Sequence, residues 1–119
     1  MTTQQIAERL AALCLQGDFE TAQKELYSDD VVSTEPYATP AFEKVTTGKD
    51  NVLAKISKFN SMVESSYGNE VSEPLVAGNS IALRLTMDIK MKDQDRMDMS
   101  ELCVYEVKDG KIVSEQFFI

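Results

Sequence analysis

Two carboxylates, Glu35 and Glu101, are the residues of this chain best suited to proton chemistry. A glutamate works as a general acid or base near neutral pH when apolar walls or a nearby like charge raise its pKa above about 4.3. Glu35 ends the run Asp30-Val31-Val32-Ser33-Thr34-Glu35 just before Pro36. It reads either as a carboxylate at a pocket mouth or as an exposed strand end. Glu101 alternates with Met99 and Cys103, so it shares their face, where an ionised carboxylate needs a partner or takes up a proton. The competing reading is a rim residue in water. Other chemistries find no support. The chain has no histidine, so Cys14 and Cys103 lack the usual activating base and read as buried core thiols rather than a disulfide. Thr47-Gly48-Lys49-Asp50 imitates the end of a phosphate loop, but Glu43 stands in place of its first glycine and Asp50 in place of its hydroxyl. Asp93-Gln94-Asp95 imitates a calcium loop, but Asp98 replaces the turn glycine and Val104 the closing glutamate. No metal site and no cofactor is expected.

These carboxylates act only if the fold sets them against an apolar wall. The 119 residues fit one domain over 1–119. Thr2 and Gln5 make a capping box, and Ile6, Leu10, Leu13 and Cys14 recur at helical spacing up to Gly17, which predicts a helix over 3–16. Asp18 caps a second, short helix with Phe19, Ala22 and Leu26 on one stripe, closing near Tyr27. Residues 30–35 read as a strand, 36–47 as a loop carrying Tyr37 and Phe42, and 48–63 as a third helix with Val52, Leu53, Ile56, Phe59 and Val63 on one face. Beyond it the apolar period becomes two. Hairpin signals at Gly78-Asn79 and Asp109-Gly110, with a polar turn over 92–96, predict strands over 70–77, 80–91, 96–108 and 111–119.

Turns fix register, and register fixes faces. Met91 is expected opposite Met97, so that Met87 faces Glu101, Leu85 faces Cys103 and Leu83 faces Tyr105. The Asp109-Gly110 turn then sets Glu101 beside Phe118, Cys103 beside Gln116 and Tyr105 beside Ser114, while the Gly78-Asn79 turn brings Glu70 beside Met87. This face, with Met99, is the expected pocket wall. Arg84, Leu102, Val104, Glu115 and Phe117 fall on the other face. Three helices packed on the first face cannot reach the apolar members of the second, so a second copy of the chain is the expected cover.

Composition narrows the partners. Twenty acidic residues against twelve basic give a net charge of -8, which repels nucleic acid and anionic membranes. No apolar run approaches the roughly 20 residues of a membrane span. Met1-Thr2-Thr3-Gln4-Gln5 has no basic segment leading into an apolar one, so a cytoplasmic location is the expectation.

Three helices with one early strand, followed by a long meander ending in Tyr105-Glu106-Val107-Lys108-Asp109-Gly110-Lys111-Ile112, resemble the NTF2-like superfamily and, within it, the SnoaL-like branch. Gly17-Asp18, Tyr27-Ser28-Asp29-Asp30, Glu35-Pro36 and the hairpin over 107–118 carry the resemblance. It implies an α+β cone, with three N-terminal helices on the concave face of a curved antiparallel sheet, a pocket between them and a homodimer through the convex face. A distant likeness to ketosteroid isomerase implies Glu35 as the general base. The same likeness puts that enzyme's oxyanion donors at Leu10 and Cys103, so both donors are missing. The expected function is binding of a small apolar molecule, with cofactor-free carboxylate acid-base processing of an isomerase, cyclase or hydrolase kind. The alternative is a non-catalytic binding or assembly module whose pocket is filled by its own side chains. An enclosed cavity of roughly 300 Å³ or more favours the first.

Overall fold

Helix α1 (Thr3–Leu15) starts at the expected capping box: Thr2 Oγ1 accepts from the Gln5 N–H while the Gln5 side chain accepts from the Thr2 N–H. It stops because Gly17 takes a left-handed φ of 73°, which a glycine adopts without a Cβ clash. There the Asp18 N–H reaches Leu13 O and the Gly17 N–H reaches Cys14 O, a Schellman ending. Asp18 then turns round and caps α2 (Phe19–Leu26) by accepting from the Thr21 N–H at 3.2 Å. Two helices therefore join through three residues, Gln16, Gly17 and Asp18, and Ile6, Leu10, Leu13, Cys14, Ala22 and Leu26 enter one core.

The computed structural model describes residues 1–119. After α2 the chain runs through β1 (Tyr27–Thr34), the short β2 (Val45–Thr47), α3 (Lys49–Met62), β3 (Val63–Val71), β4 (Leu75–Ala77), β5 (Ser80–Met91), β6 (Arg96–Lys108) and β7 (Lys111–Phe118). The strands form one sheet in the order β2-β1-β7-β6-β5-β3, with β4 also on β5. The sheet curves around the helices as expected, and it is mixed rather than antiparallel throughout: β1 runs parallel to β7. No helix is long and apolar enough to cross a membrane.

Three registers differ from the turn-based expectation, and parity decides what each difference means. Between β5 and β6 the ladder closes at Lys90–Arg96, so Met87 faces Met99, Leu85 faces Glu101, Leu83 faces Cys103 and Ile81 faces Tyr105. Met91 is drawn instead to Val63 of β3, and the Lys92 N–H to Met62 O. This slip is two residues, so every side chain keeps its face. Between β6 and β7 the slip is one residue. Asp109 (φ 52°) and Gly110 (φ 75°) make the expected tight turn, and Lys108–Lys111 and Val107–Ile112 pair as predicted. Val113 is then an extra residue, and beyond this bulge Glu106 faces Ser114, Tyr105 faces Glu115 and Cys103 faces Phe117. Glu115 and Phe117 therefore turn inward, while Ser114, Gln116 and Phe118 turn outward. The third difference breaks the expected strand over 70–77. Bulges near Gly68 and the gap between β3 and β4 set Asn69 beside Met87 and Glu70 beside Thr86, so Glu70 is exposed on the convex face.

The bulge makes a stability difference that reverses between the two registers. Phe117 packs against the core, whereas Phe118 is 45% exposed. Phe117→Ala should lower unfolding free energy by about 2 kcal/mol in denaturant melts and Phe118→Ala by well under 1 kcal/mol, the low side of the large-to-small range because Phe117 is only partly buried.

Candidate functional site

Helices and sheet do not meet fully. Between them lies a cavity of about 250 Å³ whose 22 lining residues include 15 hydrophobic ones. Leu10 and Cys14 of α1, Phe19 and Ala22 of α2, and Ile56 and Phe59 of α3 form the helical wall. Leu85, Met87, Met99, Tyr105 and Phe117 form the sheet wall, and Tyr37 and Phe42 from the loop after β1 stand at its edge. Of the expected wall, Leu85, Met87, Met99, Glu101 and Tyr105 are in place; Cys103 is fully buried in the core behind them. Glu70, Ser114, Gln116 and Phe118 do not line the cavity, for the register reasons above. Glu115 and Phe117, expected on the outer face with Arg84, Leu102 and Val104, line it instead.

Four charged residues line this apolar space: Glu35, Glu101, Glu115 and a single cation, Lys55. Glu115 is deepest. It is 3% exposed and accepts two hydrogen bonds, from the Tyr27 hydroxyl and from Ser33 Oγ at 2.8 Å. Burial pushes its pKa up, opposed by those two donors and by Lys55. Burial of the Tyr27 hydroxyl, and then the charge of Glu115, hold Tyr27 well above the ordinary phenol range. Lys55 Nζ donates to Ser33 Oγ at 2.6 Å and to Glu35 Oε1 at 3.0 Å, and lies 5.8 Å from the centre of the Phe117 ring. Glu35, at the end of β1, is thus the counter-ion of Lys55, with its side chain 26% exposed.

Glu101 differs from both. No cation bonds it directly; its contact is the Cys103 thiol, 3.8 Å from Oε1. Burial, then the charges of Glu35 and Glu115, raise its pKa from 4.5 to about 7, with Cys103 and Lys55 opposing. A carboxyl with that pKa exists in both protonation states at neutral pH, as an acid-base catalyst requires. The thiols themselves are poor nucleophiles: burial pushes Cys14 up to about 12 and Cys103 higher still.

The α2 wall adds one further polar group, Gln23, which is 6% exposed and whose Oε1 has no hydrogen-bond partner. Sequence reasoning missed Tyr27, Ser33, Lys55 and Glu115. Lys55 carried a legible signal, since it falls three residues after Val52 and four before Phe59 on the apolar face of α3. Tyr27 carried little, because the polar run Ser28-Asp29-Asp30 hides the start of β1. Glu115 carried none, because the bulge that inverts its face has no glycine to mark it.

The family model of the SnoaL-like domain matches residues 1–119. Among curated proteins no sequence matches. A crystal structure from Mesorhizobium loti, provisionally assigned as a SnoaL-like polyketide cyclase (carbohydrate phosphatase), is similar with 32% identity and a TM-score of 0.88 over 100% of both chains. An NTF2-like protein of unknown function from Burkholderia pseudomallei has 15% identity and a TM-score of 0.80, covering 100% of this chain and 92% of its own. A protein of ketosteroid isomerase-like fold from Catenulispora acidiphila, in complex with trimethylamine, has 15% identity and a TM-score of 0.75, covering 99% and 87%. The last two are likenesses of fold.

The raised pKa of Glu101 has a definite sign in stability. Below about pH 4.5 the group is protonated in both states; as pH rises from 4.5 to 7 the unfolded chain releases the proton first, so native stability is lost over that window and the loss is complete above 7. Glu101→Gln removes the penalty. In denaturant melts the variant should match wild type near pH 4 and exceed it above pH 7 by an amount on the order of 3 kcal/mol, the difference between 7 and 4.5 at about 1.4 kcal/mol per unit.

Proposed function

The chain belongs to the SnoaL-like domain family, and on that premise we propose that it binds a small, mainly apolar molecule in its cavity and moves a proton on it without a cofactor, with Glu101 as the acid-base group. The observation that carries this reading is the pairing of an apolar cavity with a carboxyl whose pKa is raised to about 7. Glu35, the position that the likeness to ketosteroid isomerase favours, is engaged with Lys55. A general base must reach a substrate proton with a free lone pair, and Glu101 meets that condition better. At about 250 Å³ the cavity falls short of the roughly 300 Å³ set as the mark of a ligand site, so volume by itself does not favour a ligand site over a filled module; the reading rests on the apolar lining and Glu101, and any ligand it takes is compact.

The test has two stages. Thermal shift against small apolar compounds identifies ligands, since saturation at 100 times Kd adds about 2.7 kcal/mol. Carbon-bound hydrogen exchange of each ligand in deuterated buffer is then followed by NMR. Glu101→Gln should keep binding and lose exchange by about 10² to 10⁴-fold. Binding with no exchange in wild type leaves the non-catalytic binding module as the correct reading.

We further propose that two copies pair through the convex face. Leu102 and Phe118 are cross-strand neighbours there, each 45% exposed, with Arg84 opposite Leu102 and Val104 on the next row. An apolar patch out of reach of the helices fits the centre of a dimer interface better than open water. Light scattering at tens of micromolar (about the usual working range) should give twice the chain mass, and Leu102→Asp should halve it. A monomeric wild type removes the proposal.

A further inference from the structure

Water reaches the cavity from one edge. Of its 22 lining residues only Tyr37, Thr39 and Ile119 are exposed, and two of those three belong to the loop between β1 and β2. That loop is closed at its root, where the Glu35 N–H donates to Lys44 O at 2.7 Å next to the Thr34–Val45 pair. Its tip is tied to itself: the Thr39 N–H donates to Phe42 O at 2.9 Å and the Phe42 N–H to Thr39 Oγ1 at 3.0 Å. Pro36 and Pro40 fix φ at two further positions, so residues 36–43 form a stiff flap rooted at Glu35 and Lys44. One hydrogen bond joins this flap to the body of the protein, from Lys58 Nζ of α3 to Ala41 O. The same ammonium lies 5.2 Å from the centre of the Phe42 ring. Beside these contacts, between flap and α3, is a second hollow of about 210 Å³ bordered by Ala41, Phe42, Asn51, Ala54 and Lys58. A space larger than the roughly 150 Å³ that holds a benzene means that flap and helix are not packed together there. Phe42 borders both spaces and is the partition between them. A segment with so few packed contacts and one hydrogen bond opens at the low end of local stability.

We propose that residues 36–43 are the gate of the cavity and that Lys58 is its latch: the flap turns about Glu35 and Lys44, Phe42 leaves the cavity edge, and whatever enters or leaves passes while it is open. In the latched state Lys58 holds Ala41 O and the Phe42 ring together, and lifting the flap breaks both contacts at once. Tyr37 and Thr39 move with Phe42, so opening clears two of the three exposed lining residues from the mouth. Both latch contacts are made by an exposed ammonium, so they are weak enough to break and remake, and their loss should raise the open population about three- to tenfold. A weaker latch speeds entry and exit together and leaves affinity nearly constant. The gate controls access whether the cavity transforms a molecule or only holds it, so it does not depend on the role of Glu101.

The two buried thiols give a test that needs no ligand. Cys14 lines the cavity and Cys103 does not, so Cys14 reports opening of the flap and Cys103 reports opening of the sheet core behind it. Methyl methanethiosulfonate, a small neutral reagent that caps a thiolate and releases methanesulfinate, is added to the chain at about pH 8, and the initial rate at each cysteine is read by peptide mass spectrometry. Lys58→Met should raise the Cys14 rate about three- to tenfold and leave the Cys103 rate within about twofold of wild type. The charges that act on Cys14 are those of Glu115 and Glu101, so the loss of Lys58 alters access to this thiol and not its reactivity. Lys58→Arg, which keeps both a cation and a donor, should stay near wild type. Phe42→Ala removes the partition without touching α3 and should raise the Cys14 rate at least as far as Lys58→Met does. A Cys14 rate that Lys58→Met leaves unchanged would overturn the proposal. So would a Cys103 rate that rises in step with Cys14, because the substitution would then have loosened the whole core rather than the flap.

Discussion

Glu115 is a carboxylate that water does not reach, and much of the site follows from what its burial demands. An ionised group in an apolar interior has to be met by donors or by charge, or it gives up its charge. Tyr27 and Ser33 supply the donors from β1, and Lys55 supplies charge at one remove from α3. The parallel pairing of β1 with β7 sets Ser33 directly beside Glu115. The bulge at Val113 turns Glu115 inward to meet them. Sheet order, bulge and helix packing therefore converge on one buried oxygen pair. Removing any one of the three partners would strand a polar group where a lost hydrogen bond is most damaging.

The same arithmetic explains why Glu101 stands apart. Three carboxylates and one ammonium share the cavity wall, and the ammonium is already committed to Ser33 and Glu35. Glu101 keeps the residue of the imbalance: apolar neighbours, two like charges nearby and only a thiol in contact. Its proton is held by desolvation and by that excess of negative charge. A stability penalty at a position that a glutamine could fill more comfortably is the pattern expected where function, rather than folding, sets the residue type.

What was legible in the sequence divides along physical lines. Local signals were reliable: the Thr2–Gln5 box, the Gly17-Asp18 junction and the Asp109-Gly110 turn each satisfy backbone groups within a few residues, and each appears where the sequence puts it. Faces survived where slips were even, so Leu85, Met87, Met99, Glu101 and Tyr105 could be placed on the cavity wall from alternation alone. They failed beyond the bulge, because a single extra residue on a strand without glycine leaves no compositional trace, and Glu115 with Phe117 exchanged faces with Gln116 and Phe118. The relay from Lys55 to Glu115 joins residues 60 positions apart, and its middle member, Ser33, sits in a run that reads only as β-branched strand. Pairings of that separation are set by tertiary packing and lie outside what periodicity encodes.

The cone keeps a proton on Glu101 up to near neutral pH. The direct measurement is the titration of its side-chain carboxyl carbon by NMR in protein labelled with carbon-13 at glutamate, with Glu101→Gln identifying the resonance. The midpoint should lie near 7. A midpoint near the ordinary value of about 4.3 would contradict it, because Glu101 would then be a solvated or fully paired carboxylate, with no proton to hold or return.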